Sequence, residues 1–217
     1  MHITTALPTS TAPGRLCTTV GSGDRDHFRP RPRTLRGGAD GRPARMAGVG
    51  ELHVSFVCTG NICRSPMAEK IFAAHLSRAG LADRVRVSSA GTGSWHVGDD
   101  ADHRTNATLQ KYGYRTGHAA AALGADHFDA DLLIALDTSH ERELARRGVP
   151  TDRRRLLRSF DPDADGPDVP DPYYGDTADF ELVRDQIEAA MPGLLDWVRA
   201  ALGAEPGPPD PALDGRA

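Results

Sequence analysis

Cys58 and Arg64, separated by five residues and followed at once by Ser65 and Pro66, are the side chains of this chain whose types and spacing could do chemistry. A thiol is a useful nucleophile only as a thiolate, and a thiolate forms where backbone N–H groups and the positive end of a helix dipole converge. Such convergence is also an anion site. A sulfur anion at the floor of an anion site is aimed at phosphorus, so Cys58 is expected to be largely ionised near neutrality. Arg64 has the planar fork that holds two phosphoryl oxygens and stabilises charge in the transition state, which Lys does less well.

The elements that must position these groups are legible around them. Leu52 to Val57 is apolar or β-branched apart from His53 and Ser55, and reads as a buried strand running into Cys58. Thr59, Gly60, Asn61, Ile62 and Cys63 must then form a tight loop. Gly60 permits close backbone approach and Asn61 tolerates left-handed dihedrals. Pro66 suits a first helical turn. Met67 to Ala79 places Ile71, Phe72, His75, Leu76 and Ala79 on one stripe, a helix that stops at Gly80. Arg84 to Ala90 reads as a second strand, so strand, helix and strand make a parallel, right-handed crossover.

Farther on, a helix is expected from Asp102 to Tyr112, with Asp100 or Asp102 as its cap and Gly113 at its end. Asp131 to Leu136 is a continuous apolar run suited to a central parallel strand. Asp137 and Thr138 cap a helix through Gly148, and Arg154 to Leu157 reads as a charged edge strand. The last helix carries Phe180, Val183, Ile187, Ala190, Met191, Leu194 and Val198 on one stripe and should pack on the sheet, with a kink or break at Pro192-Gly193. Gly91 to Gly98, containing Trp95, is a glycine-rich loop at the carboxyl end of the second strand, the edge where open α/β sheets bind ligands.

A thiolate that attacks a phosphate ester needs an acid to protonate the leaving oxygen, and later a base to activate water. The long connection from Phe160 to Asp179 offers Asp161, Asp163, Asp165, Asp168 and Asp171, and spacing alone does not choose among them.

Val57 to Pro66, read as Val-Cys-Thr-Gly-Asn-Ile-Cys-Arg-Ser-Pro, resembles the signature loop of the low-molecular-weight protein tyrosine phosphatases nearly residue for residue. Asp171-Pro172-Tyr173-Tyr174-Gly175 looks like that family's general-acid motif. The resemblance implies an α/β fold, three-layer α/β/α around a central four-stranded parallel sheet. It implies phosphotyrosine hydrolysis through a cysteinyl-phosphate, with Cys58 as nucleophile, Arg64 as clamp and Asp171 as acid then base; Asp168 is the second candidate acid. Thr59 to Cys63 and Ser65 would form the phosphate loop, with Ser65 donating a hydrogen bond to the thiolate. Trp95, Tyr173 and Tyr174 would wall the substrate cleft, and His118 would support Asn61. Cys63 either traps an oxidised Cys58 as a disulfide or only packs.

No cofactor and no metal are implied, and no pair of histidines has ligand spacing. The expected partners are phosphotyrosine proteins or small aryl phosphates, and a tyrosine kinase acting on Tyr173 or Tyr174. Two rivals share the loop. Arsenate reductases need cysteines downstream, and none follows Cys63, which leaves coupling to an external thiol. Protein arginine phosphatases carry a threonine where this chain has Ile62, and their acid motif is poorer in tyrosines. A domain that only binds phosphorylated partners would be expected to lack Cys58, Arg64 or Asp171.

Composition bounds the remainder. Residues 1–48 hold eight arginines and no lysine, with clustered Pro, Gly, Ser and Thr and little periodicity, and are expected to be a disordered extension, or sequence upstream of a true start at Met46. Residues 49–202 would be the phosphatase domain and 203–217 a flexible tail. With a formal charge of −4, the short run Arg153-Arg154-Arg155 reads as a solvated face rather than a nucleic-acid patch, and no stretch reaches membrane-spanning length. Three cysteines give no disulfide framework, and with no apolar secretory leader in view a cytoplasmic setting is expected, secretion by an unconventional route remaining open.

Overall fold

Leu52–Cys58 (β1), Val85–Gly91 (β2), Leu132–Ala135 (β3) and Arg154–Leu156 (β4) pair in the order β2-β1-β3-β4, every neighbour parallel. The computed structural model describes residues 52–203; the expected extension with Met46, and the tail after Gly203, lie outside the described residues. The helices are Arg64–Arg78 (α1), His103–Lys111 (α2), Ala125–Phe128 (α3), Thr138–Arg146 (α4) and Thr177–Ala201 (α5).

Side chains alternate across β1, and that alternation builds two cores. Val54, Phe56 and Cys58 face one side with Leu132, Ile134 and Leu136, and are covered by Ile71 and Phe72 of α1, Leu109 of α2 and the apolar stripe of α5. Phe56 and Phe72 meet edge to face at 5.8 Å between ring centroids. Val57 faces the other side with Leu133 and Ala135, under Leu144 of α4 and beside Phe128 of α3. The result is the expected helix, sheet, helix layering.

Register brings the chemistry to one edge. Cys58 at the end of β1 stands beside Gly91 at the end of β2, and Val57 beside Ala135 at the end of β3. The chain leaves β1 for β2 on one side and returns to β3 on the other, so the loops after β1 and β3 diverge there and leave a crevice.

The elements follow their local signals. Helix α1 begins three residues before Met67, with Pro66 in its first turn, where a missing N–H costs nothing. It ends before Gly80, whose φ of 68° is the left-handed conformation that glycine adopts without steric cost. Asp102, Asp137 and Asp176 cap α2, α4 and α5 through their carboxylates.

The expected interruption at Pro192-Gly193 is a correction: α5 runs unbroken through both residues. Pro192 lies on the exposed side, while Met191, Leu194, Leu195 and Val198 are buried on both sides of it and hold the helix in place. A Cβ at Gly193 would fall 2.2 Å from the carbonyl oxygen of Phe160, so this glycine marks a close crossing of two backbones.

Candidate active site

The loop from Cys58 to Ser65 closes over its own sulfur. Asn61 holds φ at 57°, which turns its backbone N–H toward Cys58 Sγ at 3.2 Å. Helix α1 starts at this loop with no side-chain cap and no acidic residue in its first turn. Its first N–H groups and dipole therefore remain available to an anion, whereas α2, α4 and α5 spend theirs on aspartates.

Hydrogen-bond directions around Asn61 can be assigned. Its Oδ1 accepts from the Ala121 N–H at 2.8 Å, so its Nδ2 is the donor to Ser65 Oγ at 2.8 Å and to Ser89 Oγ at 2.9 Å. Ser65 Oγ, already accepting, turns its proton to Cys58 Sγ, 2.9 Å away. Ser89 in turn donates to Glu69 Oε2 at 2.5 Å. His118 Nε2–H donates to the Asn61 carbonyl at 2.8 Å, and burial pushes this imidazole below the ordinary histidine range, so it stays neutral and keeps that tautomer. The support expected of His118 therefore reaches the backbone of Asn61.

Arg64 is almost wholly buried, and its guanidinium has two differently held ends. Nη1 donates to Asp137 Oδ2 at 2.7 Å and to the Val169 carbonyl at 3.1 Å. Nη2 donates to Asp171 Oδ2 at 2.9 Å and lies 3.4 Å from Thr59 Oγ1. Burial pushes the Asp137 carboxyl up, but the nearby His140 ring, the Ser139 hydroxyl and the His140 backbone N–H together outweigh it and hold Asp137 well below the usual carboxylate range. It is a fixed negative anchor for the clamp. His140 Nδ1 lies 2.9 Å from Asp137 Oδ1, close enough for an ion pair but not aligned as a hydrogen bond, and its Nε2 lies 2.9 Å from Thr59 Oγ1.

Above the loop is a cleft of about 230 Å³ lined by Cys58, Ile62, Arg64, Trp95, Asp171, Tyr173 and Tyr174 among others. Trp95 is 75% and Tyr174 97% exposed, and Tyr173 meets Tyr174 edge to face at 4.9 Å. His96 also lines the cleft, and a Cβ at Gly60 would come within 3.0 Å of its ring. The Asp171 side chain is 51% exposed at the cleft. Asp168 is placed elsewhere: its carboxylate accepts from the Thr138 N–H at 2.7 Å and Oγ1 at 3.2 Å, joining Asp137 at the start of α4. Cys63 is buried, and that burial, aided by the nearby charges of Asp102, Cys58 and Asp171, pushes its thiol up to about 12.

Of the expected residues, Cys58 to Gly60, Ile62 to Arg64, Trp95, Asp171, Tyr173 and Tyr174 thus line one cavity, while Asn61 and Ser65 are buried behind the loop. Sequence reasoning treated Asp137 only as a helix cap and overlooked His140, Ser89, Glu69 and His96. Asp137 does cap α4, through Oδ1 to the Ser139 and His140 N–H groups. Its second oxygen is what Arg64 uses, and no local pattern encodes that.

Residues 53–205 match the family model described as low molecular weight phosphotyrosine protein phosphatase. A Mycobacterium tuberculosis protein named low molecular weight protein-tyrosine phosphatase A is 60% identical over 149 residues, 68% of this chain and 91% of that one. A crystal structure of a protein tyrosine phosphatase from Entamoeba histolytica aligns with TM-score 0.67 at 30% identity, covering 70% of this chain and 99% of that one. A Drosophila arginine phosphatase aligns with TM-score 0.63 at 32% identity, covering 67% and 97%.

Proposed function

Since the chain belongs to the low molecular weight phosphotyrosine protein phosphatase family, we propose that it hydrolyses phosphotyrosine through a cysteinyl-phosphate built by Cys58, Arg64 and Asp171. It is a protein-tyrosine phosphatase, a hydrolase of phosphoric monoesters. The observation that carries the residue roles is the joint lining of one cleft by the Cys58 sulfur, the Arg64 fork and the Asp171 carboxyl.

The phosphoryl group enters over the uncapped start of α1, where the loop N–H groups and Arg64 Nη2 meet its oxygens. Asp137 and Val169 hold Nη1 from behind, so the fork is oriented before substrate arrives. Cys58 Sγ attacks phosphorus as the bond to the tyrosyl oxygen breaks, and Asp171 gives its proton to that oxygen, releasing neutral tyrosine. The carboxylate then takes a proton from water, the hydroxyl bonds to phosphorus, and the sulfur departs with its electron pair. The Ser65 proton stabilises the sulfur in both steps. Trp95, Tyr173 and Tyr174 flank the aromatic ring of the substrate.

Phosphoproteins bearing phosphotyrosine are the substrates this supports, and small aryl phosphates fit the same cleft. The outward position of Tyr174 suits it as a target of a tyrosine kinase, with Tyr173 beside it. Cytoplasmic residence remains our reading; among the described residues, no helix is long and apolar enough to cross a membrane. Ile62, which lines the cleft, is the residue set against the arginine-phosphatase reading.

Purified protein should hydrolyse para-nitrophenyl phosphate in EDTA and lose nearly all turnover as Cys58→Ser. Against matched peptides, phosphotyrosine should be hydrolysed well ahead of phosphoserine and phosphoarginine. An EDTA-sensitive rate, or a preference for phosphoarginine, overturns this reading.

A further inference from the structure

The segment that carries Asp171 has no regular secondary structure, yet a general acid must stand at fixed range from the scissile oxygen. One side chain outside the signature loop and the acid motif bridges the two. Arg104, near the start of α2, donates from Nη1 to the Gly175 carbonyl at 2.9 Å and from Nη2 to the Tyr173 carbonyl at 2.9 Å. The same guanidinium is gripped by the Asp102 carboxylate, through Nε at 3.0 Å and Nη2 at 2.8 Å. Its Cζ lies 4.6 Å from the centre of the Phe180 ring at the start of α5.

Asp102 completes the bridge, because its backbone N–H donates to the Ile62 carbonyl of the phosphate loop at 2.8 Å. A continuous path of hydrogen bonds therefore runs from the phosphate loop through Asp102 and Arg104 to the backbone on both sides of Tyr174. That backbone is tied to the acid itself: Gly175 N–H closes a turn on the Pro172 carbonyl at 2.9 Å, and Tyr173 N–H reaches Asp171 Oδ1 at 3.3 Å.

We propose that Arg104 is a positioning residue for the protonation step, holding the Asp171 segment at a set distance from the phosphate loop through the paired carbonyls of Tyr173 and Gly175. The inference rests on Asp171 being the general acid. The role needs a fork: three nitrogens of one rigid plane serve a carboxylate on one side and two carbonyls on the other, and a lysine ammonium has a single nitrogen for all of them.

The test exploits leaving-group chemistry. Phenoxide is a poor leaving group and needs its proton, whereas 2,4-dinitrophenoxide departs without one. kcat/KM would be measured with phenyl phosphate and 2,4-dinitrophenyl phosphate for the wild type, Arg104→Gln, Arg104→Lys and Asp171→Asn. The ratio of the two rates within one preparation does not depend on how much of the protein is folded. Asp171→Asn should depress the phenyl rate selectively. Arg104→Gln should depress it selectively by about 10- to 100-fold, with the dinitrophenyl rate little changed, and Arg104→Lys should recover only part of the loss.

If Asp171→Asn is selective and Arg104→Gln lowers both rates equally or neither, this inference is overturned and the acid assignment stands. If Asp171→Asn is itself unselective, the acid assignment falls, and this inference with it. Full recovery in Arg104→Lys overturns the bridging fork.

Discussion

Asn61 and Ser65 form a directed pair: the asparagine amide donates to the serine oxygen at 2.8 Å, which leaves the serine proton facing Cys58 Sγ at 2.9 Å. Ser65→Ala removes a hydrogen bond to the departing sulfur. Bonds of this kind to charged groups contribute about 1.5–3 kcal/mol, so decay of the phosphoenzyme should slow by roughly 10- to 100-fold, measured by rapid quench after a single loading. Asn61→Ala would strip partners from Ser65, Ser89 and the Ala121 N–H together. It should cost about 2–4 kcal/mol of stability in urea unfolding. Unchanged phosphoenzyme decay in Ser65→Ala would contradict the assigned proton direction.

Asp171 and Asp168 lie three residues apart but are given different tasks. Asp171→Ala should lower kcat/KM for phenyl phosphate by about 10²–10⁴-fold, the usual contribution of a general acid. Asp168→Ala should leave that rate nearly intact while costing about 1 kcal/mol, the typical value of a helix cap, because its carboxylate serves the start of α4. Equal losses of rate in the two variants would refute the assignment.

Burial lowers the pKa of His53, His118 and His127 below the free value of about 6.5. A histidine held neutral in the fold contributes fully above that unfolded value. As the pH falls below it, the unfolded chain takes up protons that the native state refuses, so stability drains away down to the depressed native pKa. The urea midpoint should thus fall between about pH 7.5 and pH 5, and His118→Gln, whose amide can still donate to the Asn61 carbonyl, should shrink that fall. A midpoint that rises on acidification would refute it.

Gly193 reverses a familiar rule. Replacing a helical glycine by alanine ordinarily stabilises by about 1 kcal/mol, but here the new methyl would press on the Phe160 backbone, 2.2 Å away. Gly193→Ala should therefore destabilise, by about 1–3 kcal/mol, the usual cost of overpacking. Thermal unfolding would decide the sign.

Much of the fold was legible because its signals are local. The apolar run 132–136, the stripe from Phe180 to Val198 and the aspartate caps each declare an element through neighbours in sequence. The kink expected at Pro192-Gly193 failed for the complementary reason. Proline's preference is local, but buried residues on both sides of it, packed against elements far away in sequence, keep α5 continuous.

At the site, the order of residues from Cys58 to Pro66 by itself determined the cradle, since a loop this short between a strand and a helix has few ways to point its amides. Spacing offered several aspartates, and only the likeness of residues 171–175 to the family's acid motif singled one out. Tertiary structure decided their partners: it gave Asp168 to the Thr138 amide, placed Asp171 beside Arg64 Nη2, and used the spare oxygen of Asp137 to hold Nη1. Hydrogen bonds between carboxylates and groups 30 to 107 residues away depend on where the sheet brings its strand ends together, and spacing along the chain carries no record of that meeting.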